Sequence, residues 1–172
     1  MPFLDCLTAD LRHLGADWDR RPTAVLARGL VRMFAYPQTA AVVLFRLAHE
    51  LHRRRVTRPL AHAVKSWSIA WTGAEIHPAA QIGPGFEIAH SVGIVVGHEV
   101  RAGRNLVLFH GVTLGHDGRG RSGQPTIGDD VRIFAGAAVL GPVQVGNNAR
   151  IAANATVLAD VPAGTTVGGV WQ

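Results

Sequence analysis

A polar, glycine-rich segment near the middle of the chain carries several side chains that could do chemistry. Residues 116–124 read His-Asp-Gly-Arg-Gly-Arg-Ser-Gly-Gln. His116 and nearby His110 each offer an imidazole that can exchange a proton near neutral pH. Arg119 and Arg121 can bind a carboxylate or a phosphate. We therefore expect a binding or catalytic site at this segment; the alternative is an insertion without function.

The composition limits the kinds of site that the chain can build. Cys6 is the only cysteine among 172 residues, which excludes a disulfide framework and a zinc site built from cysteines. Hydrophobic residues make up 48% of the sequence, enough for a core that needs no disulfide or metal. We find no secretory signal and no apolar run long enough to span a bilayer. The sequence therefore predicts a cytoplasmic protein with no membrane span.

Positive charge is concentrated in the first part of the chain. Residues 1–73 contain 11 Lys and Arg against 5 Asp and Glu, whereas residues 74–172 contain 6 against 7. Three arginines at 53–55 are followed by Arg58 and Lys65. Because no aromatic residues are interleaved with them, we interpret these cations as a solvated helix face and predict no nucleic-acid partner.

The periodicity of the first part is helical. Apolar residues recur there at intervals of three and four, which is typical of amphipathic helices. On the third predicted helix, Arg46, Glu50 and Arg53 lie together on a polar face. The four predicted segments occupy residues 3–15, 22–36, 39–54 and 59–71.

From residue 76 the period of the aliphatic residues becomes six. Neither a helix nor a hairpin has this period, whereas each repeat of a β-solenoid forms one short strand and one turn. The residue three positions after each aliphatic one is small or turn-forming, Phe109 excepted. Three repeats would complete a triangular coil with the aliphatic residues stacked inside. These residues are Ile76, Ile82, Ile88, Ile94, Val100, Leu106 and Val112, then Ile127, Ile133, Val139, Val145, Ile151 and Val157.

The repeat is interrupted once. The step from Val112 to Ile127 is not a multiple of six, so extra chain leaves the coil as a loop at about residues 113–126. A loop that leaves a rigid scaffold is a common place for a functional site. The sequence thus predicts an α+β protein with an N-terminal helical region, residues 1–73, and a solenoid, residues 74–172.

Several motifs of the solenoid are similar to those of a known family. Residues 75–83 read Glu-Ile-His-Pro-Ala-Ala-Gln-Ile-Gly, and the chain as a whole resembles the serine O-acetyltransferases over residues 38–170. The resemblance implies a left-handed parallel β-helix of the hexapeptide-repeat acyltransferases. It also implies a homotrimer, or a dimer of trimers, that binds acetyl-CoA in the groove between adjacent subunits. Further similar segments lie at residues 45–51, 93–97, 111–115, 141–146 and 161–166.

The same resemblance implies direct transfer of an acetyl group from acetyl-CoA to an acceptor hydroxyl. It gives His90 the place of the general base and Glu75 that of the acidic partner that orients it. Imidazole suits the first role because a hydroxyl holds its proton too tightly at pH 7 to attack unaided. Since Glu75 precedes His90 by 15 residues, we expect the two on stacked neighbouring strands.

The residues at the family's serine-binding positions differ from the family pattern. Ala89 stands where the family has an aspartate, and residues 123–125 read Gly-Gln-Pro where the family has Arg-His-Pro. Gln124 cannot carry a charge or relay a proton. Arg121 and His110 are candidates to bind the substrate in their place. We expect the acceptor to be serine, a modified serine or a biosynthetic intermediate; the alternative is a hydroxyl of a sugar or natural product.

The residues expected to bind the acyl donor agree with the family pattern. Gly115, Ala135, Gly136 and Ala153 match positions where the pantetheine arm of CoA lies against small residues. Arg150 matches a basic residue near a phosphate of CoA. The resemblance implies no metal.

Two other classes of function remain open. One is an inactive trimeric scaffold that binds a cysteine synthase, although Gln172 differs from the isoleucine that typically ends the family's partner-binding tail. The other is a zinc-dependent carbonic anhydrase on the same type of solenoid. His110 and His116 are six residues apart, but the sequence shows no evident third ligand.

Overall fold

The computed structural model describes residues 3–16, 21–118 and 122–172. In these ranges four α-helices precede a coil of short strands. Three of them begin at a proline or one residue before it, as expected because the first turn of a helix leaves its N–H groups unpaired. The last ends at Gly73, whose φ of 72° is left-handed. The helices are α1 Phe3–Leu11, continued by a π-helical turn Arg12–Ala16, α2 Pro22–Ala35, α3 Pro37–His52 and α4 Arg58–Thr72, with a 3-10 turn at Arg55–Thr57.

Arg46 is buried, which corrects the prediction that it lies on a polar face of α3. Its guanidinium donates hydrogen bonds to Asp10, 2.6 Å from Oδ2 and 3.1 Å from Oδ1. It also donates to the carbonyl oxygens of Ile82 and Gly83, at 2.6 Å each. Asp10 in turn accepts a bond from the amide of Phe86 at 2.9 Å. The sequence could not show this pairing because Asp10 and Arg46 belong to different helices.

The strands wind into a coil with three sides, each a parallel sheet. Sheet A contains β1, β4, β7, β10, β13 and β15, sheet B contains β2, β5, β8 and β11, and sheet C contains β3, β6, β9, β12 and β14. The fold class that the sequence predicts, helices followed by a parallel β-helix, is thereby confirmed. The strands are β1 Glu75–Ile76, β2 Gln81–Ile82, β3 Glu87–Ile88, β4 Val95–Val96, β5 Arg101–Ala102, β6 Val107–Leu108, β7 Thr113–Gly115, β8 Thr126–Ile127, β9 Arg132–Ile133, β10 Ala138–Leu140, β11 Gln144–Val145, β12 Arg150–Ile151, β13 Thr156–Val157, β14 Thr166–Val167 and β15 Val170–Trp171.

The first coil is two residues longer than the next. Ile76 pairs with Val96, a step of 20 residues, whereas Val96 pairs with Leu114, a step of 18. The prediction that the first seven aliphatic residues continue one register is therefore wrong. From residue 94 onward, each of the predicted aliphatic residues lies two positions before the strand residue that stacks on the preceding coil. Residues two apart on an extended chain face the same side, so both sets are buried and the period of six persists. The displaced residues are Ile94, Val100, Leu106 and Val112.

Helix α3 shares one hydrophobic core with the coil. Ala41, Val42 and Phe45 belong to the same buried cluster as the interior of the solenoid, and Phe45 meets Phe86 edge to face at 6.0 Å between ring centroids. The division into separate regions at residues 73 and 74 stays a prediction. Among the described residues, no helix is long and apolar enough to cross a bilayer.

Candidate functional site

The two extra residues of the first coil lie at the corner where the chain passes from sheet C to sheet A, and they present His90. Ile88 pairs with Leu108, and the amide of Gly111 donates to the carbonyl of Val92 at 2.9 Å. Residues 89–92 therefore stand opposite only two residues of the next coil. This bulge exposes His90, and Ser91 Oγ anchors it by donating to the carbonyl oxygen of Thr72 at 2.7 Å.

His110 occupies the same corner one coil later. Its ring centroid lies 5.8 Å from that of His90, with the ring planes inclined by 64°. Next to it, Phe109 and Phe134 stack with their centroids 5.1 Å apart. The C–A corner, as we call it, thus presents two imidazoles and two aromatic rings in consecutive coils.

A cavity of about 340 Å³ opens beside His90. It lies between the first turn of α3, the last turn of α4 and the bulge. Ala89, predicted to contact substrate, is half-buried next to the base and has no group that could hold an ammonium ion. Besides His90, the cavity is lined by neutral residues: Pro37, Gln38, Trp71, Thr72, Gly73, Ser91 and Val92.

Glu75 lies on β1 and forms an ion pair with a helix. Its Oε1 is 2.9 Å from Nζ of Lys65, which lies on α4 and is mostly buried. Glu75 stacks on Val95, because the first coil has 20 residues, and not on the segment that holds His90. No hydrogen bond or ion pair joins Glu75 to His90 in the described part of the chain. The expectation of stacked strands is wrong, and the role of Glu75 stays a prediction.

Gln124 lies at another corner, where the chain passes from sheet A to sheet B. Its Oε1 accepts a hydrogen bond from the amide of Glu99 at 3.1 Å, and its Nε2 is 3.4 Å from Nδ1 of His98. One subunit therefore does not bring Gln124 to His90. Arg119 and Arg121, predicted from the same loop, lie outside the described residues. His116 accepts a hydrogen bond from the amide of Gly118 at 2.9 Å.

Three of the residues predicted to bind CoA lie along the C–A corner. The amide of Gly136 donates to the carbonyl of His110 at 2.9 Å, and that of Asn154, next to Ala153, donates to the carbonyl of Ala135 at 2.8 Å. Ala135, Gly136 and Ala153 thus continue the column that begins at His90. Gly115 ends β7 at the A–B corner, and Arg150 is exposed on sheet C. The structure therefore separates the last two from the first three.

Comparison with known proteins adds to this geometry. Residues 124–159 match the family model described as bacterial transferase hexapeptide (six repeats). The soybean serine acetyltransferase, solved in complex with serine, superposes with a TM-score of 0.82 at 38% identity, over 100% of this chain and 68% of that one. The chain belongs to the serine acetyltransferase family. The left-handed β-helix expected from the sequence follows from this membership.

Other members of the serine acetyltransferase family are similarly related. The serine acetyltransferase of Mycobacterium tuberculosis is 42% identical over 139 residues, which cover 80% of this chain and 59% of that protein. The structure of the Brucella abortus serine acetyltransferase in complex with coenzyme A gives a TM-score of 0.80 at 34% identity, over 95% of this chain and 64% of that one. This chain therefore spans about three fifths of the length of such relatives.

Sequence reasoning missed a cluster of four histidines. His77, at the A–B corner, lies 5.5 Å from His62 and 5.6 Å from His98 between ring centroids, and His52 completes the cluster at 6.0 Å. Burial, and then the charges of His62, Lys65, His98 and His52, lower the pKa of His77 to about 4. The four come from α3, α4 and two coils, so no local motif marks them. Across the described ranges, no three His, Cys, Asp or Glu side chains are arranged to hold a metal ion.

Proposed function

We propose that this protein transfers the acetyl group of acetyl-CoA to the hydroxyl of serine or of a serine-like amino acid. Relatives at about 40% identity are named serine acetyltransferases, and solved neighbours contain serine or coenzyme A. The observation that carries the proposal is the exposed imidazole of His90, which a two-residue bulge presents to a cavity at the C–A corner.

In this proposal His90 is the general base. Its neutral imidazole takes the proton of the acceptor hydroxyl while the oxygen attacks the thioester carbonyl. The sulfur of CoA then leaves and takes the proton from the imidazolium, so the products are the O-acetyl ester and the free thiol. A positioned base of this kind contributes on the order of 10²–10⁴ to the rate.

The separation of the predicted residues supports a site between subunits. His90 lies at the C–A corner and Gln124 at the A–B corner, which are different edges of one prism. In a homotrimer, the edge with Gln124 of one subunit would meet the edge with His90 of the next. The pantetheine arm would then follow Ala135, Gly136 and Ala153, with Gly115 on the opposite edge. Arg150, exposed on sheet C, would meet a phosphate.

A second candidate acceptor is an uncharged hydroxyl compound such as a sugar. As far as the described residues extend, no Asp, Glu, Lys or Arg side chain lines the cavity beside His90. Trp71 offers a flat apolar surface there, whereas a free amino acid carries two charges that need partners. A partner subunit that contributes Arg121 would favour serine instead.

Thiol release from acetyl-CoA tests these proposals, with L-serine, serine derivatives and sugars as acceptors. We expect the His90→Ala variant to lose 10²-fold to 10⁴-fold in kcat/KM. His13→Ala is the matched control, because His13 is a half-exposed histidine on the extension of α1. Wild-type rates in the His90→Ala variant would refute the assignment of His90 as the general base. If no acceptor is turned over and calorimetry detects no binding of acetyl-CoA, the proposed acetyltransferase activity is refuted and an inactive scaffold is favoured.

The trimer has a separate test. Light scattering during size exclusion should give a mass three or six times that of the 172-residue chain. A mixture of His90→Ala and Gln124→Ala subunits provides a second readout. If each site combines one residue from each of two subunits, mixed trimers recover some sites with both native residues, and activity at acceptor concentrations below KM rises above that of either variant. A monomer, or no recovery in mixed trimers, would contradict the shared site.

A further inference from the structure

Two arginines stack on consecutive coils of sheet C. Arg132 on β9 pairs in register with Arg150 on β12, and both side chains are exposed on the outer face of the sheet. Neighbouring strands lie about 4.8 Å apart, so the two guanidinium groups can reach a common point. The row continues with Val107 on the coil before Arg132 and with Thr166 on the coil after Arg150. Neither neighbour in the row carries a negative charge.

This stack is unfavourable in a protein without a ligand. Like charges directly opposite each other on neighbouring strands destabilise a sheet. Elsewhere on the coil an arginine has a carboxylate partner, as Arg104 has in Asp129 at 3.1 Å. In the part of the chain that the structure describes, no ion pair involves Arg132 or Arg150. An anion bound to both guanidinium groups would remove the repulsion between them.

We propose that Arg132 and Arg150 together bind the 3′-phosphate of CoA. Arg150 is expected near a phosphate of CoA from the family pattern, whereas Arg132 is a new member of the site. This inference rests on the proposed function, because it places part of the acyl donor of that reaction.

The row of arginines lies beside the column proposed for the pantetheine arm. Arg132 precedes Ala135 by three residues, and Arg150 precedes Ala153 by three. Three residues of extended chain span about 10 Å, and an arginine side chain covers a large part of that distance. A phosphate of a ligand that follows the C–A corner is therefore within reach of both guanidinium groups.

The proposed trimer leaves this row accessible. If the C–A edge of one subunit meets the A–B edge of the next, sheet A lies between these edges and would face the threefold axis. Sheet C would then face outward, on the flank of the groove. The outward residues of sheet A are uncharged from its second strand onward, as expected for a surface in contact with its own copies. These residues are Val95, Thr113, Ala138, Thr156 and Val170.

The charge of the arginine pair selects among the phosphates of CoA. The 3′-phosphate is a monoester, which carries close to two negative charges at pH 7 and presents three acceptor oxygens. Each phosphate of the diphosphate bridge carries only one charge. Guanidinium groups form strong paired hydrogen bonds with phosphate oxygens. One dianion therefore neutralises both arginines, which neither phosphate of the bridge does.

Calorimetry with CoA and with dephospho-CoA, which lacks the 3′-phosphate, tests the assignment on the full chain. Arg132→Gln should raise the Kd for CoA about tenfold, because a charge-assisted contact is lost. It should leave the Kd for dephospho-CoA within about twofold of wild type, because that ligand lacks the group that Arg132 binds. Arg104→Gln is the matched control, since Arg104 is an exposed arginine of the coil that already has a carboxylate partner.

Two outcomes of the calorimetry would overturn the proposal. One is a wild-type Kd for CoA in Arg132→Gln. The other is an equal loss of affinity for CoA and dephospho-CoA, because Arg132 would then act on the diphosphate or through its general charge. These measurements need no acceptor. If no acceptor is turned over while CoA binds in an Arg132-dependent way, the proposed transfer fails and the phosphate site stands. If the wild type binds neither ligand, both are refuted.

Thermal unfolding gives a second readout that a structural role would not reproduce. Replacing one of two stacked cations relieves their repulsion, so Arg132→Gln without ligand should have a Tm equal to or above that of the wild type. Addition of CoA should raise the Tm less in the variant than in the wild type, because it binds CoA more weakly. A lower Tm of the ligand-free variant, with the same rise on addition of CoA, would show that Arg132 supports the coil and would overturn the inference.

Discussion

Nε of Arg46 lies 2.6 Å from Oδ2 of Asp10, and both side chains are buried where helices α1 and α3 meet the first coil. Burial raises the pKa of the Asp10 carboxyl, while the Arg46 guanidinium and the amides of Phe86 and Gly85 offset part of that effect. The pair therefore fixes the helices on the coil whose bulge presents His90.

Removal of one partner of this pair should cost considerable stability. We expect Arg46→Met or Asp10→Asn to lower the free energy of unfolding by about 3–5 kcal/mol, because the remaining group is left buried without its counterion. Urea denaturation followed by circular dichroism measures the change. Arg53→Met is the control, since Arg53 is exposed and pairs with Glu50 on the surface at 3.0 Å. It should change stability by less than about 1 kcal/mol. Equal effects of Arg53→Met and Arg46→Met would contradict the importance of burial.

The histidine cluster should make the protein less stable at acid pH. The pKa of His77 is about 4 in the folded state against a usual value of 6.5, so the unfolded chain binds the proton more readily between these values. The contribution of His77 to the free energy of unfolding is therefore complete above pH 6.5 and decreases as the pH drops toward 4. Because His77 is partly exposed, we expect its contribution to the free energy of unfolding to be about 1 kcal/mol. Unfolding measured at pH 7 and pH 5 should differ less in His77→Gln than in the wild type; the same difference in both would contradict this assignment.

The turn after the bulge should need glycine. Gly93 has a φ of 74°, and a Cβ there would lie 3.5 Å from Gly111, an ordinary contact. The cost of Gly93→Ala is therefore mainly backbone strain, about 1–2 kcal/mol. Since the strain falls next to His90, we also expect kcat to drop at least tenfold.

Gly164 provides the matched control for that substitution. Its φ is 70°, and no atom lies within 4 Å of an added Cβ. Gly164→Ala should lose similar stability and keep its activity. Thermal unfolding and acetyl transfer, measured on both variants, separate the general strain from the displacement of the base. A fully active Gly93→Ala would show that the bulge does not position His90.

Gln124 should act on acceptor binding rather than on the stability of the coil. Gln124→Ala removes the acceptor of the Glu99 amide, which is exposed and can bind water instead, so the free energy of unfolding should change by less than about 1 kcal/mol. If its edge meets the site of a neighbouring subunit, KM for the acceptor should rise about tenfold or more with a smaller change in kcat. Steady-state kinetics measure both constants, with Gln144→Ala on exposed sheet B as the control. Unchanged kinetics would place Gln124 outside the site.

Local patterns predict most of the architecture. The helices appear as apolar residues at intervals of three and four, and α4 ends at Gly73 as expected. The coil appears as a period of six, because each strand and turn repeats the same environment. The small residues at its corners include Asn148 and Asn154, which both adopt a φ of 59°. Such signals are readable because each depends on residues close together in the chain.

The sequence by itself determines the helices, the six-residue repeat, the position of the long loop and the family motifs around His90. Tertiary structure alone decides three further relationships. The first coil contains two extra residues, which the period of six conceals because positions two apart face the same interior. Arg46 is buried rather than exposed, because its partner Asp10 arrives from another helix. The ring of His110 lies 5.8 Å from that of His90 between centroids, and Glu75 pairs with Lys65, because stacking of successive coils and of α4 joins residues that no local spacing connects.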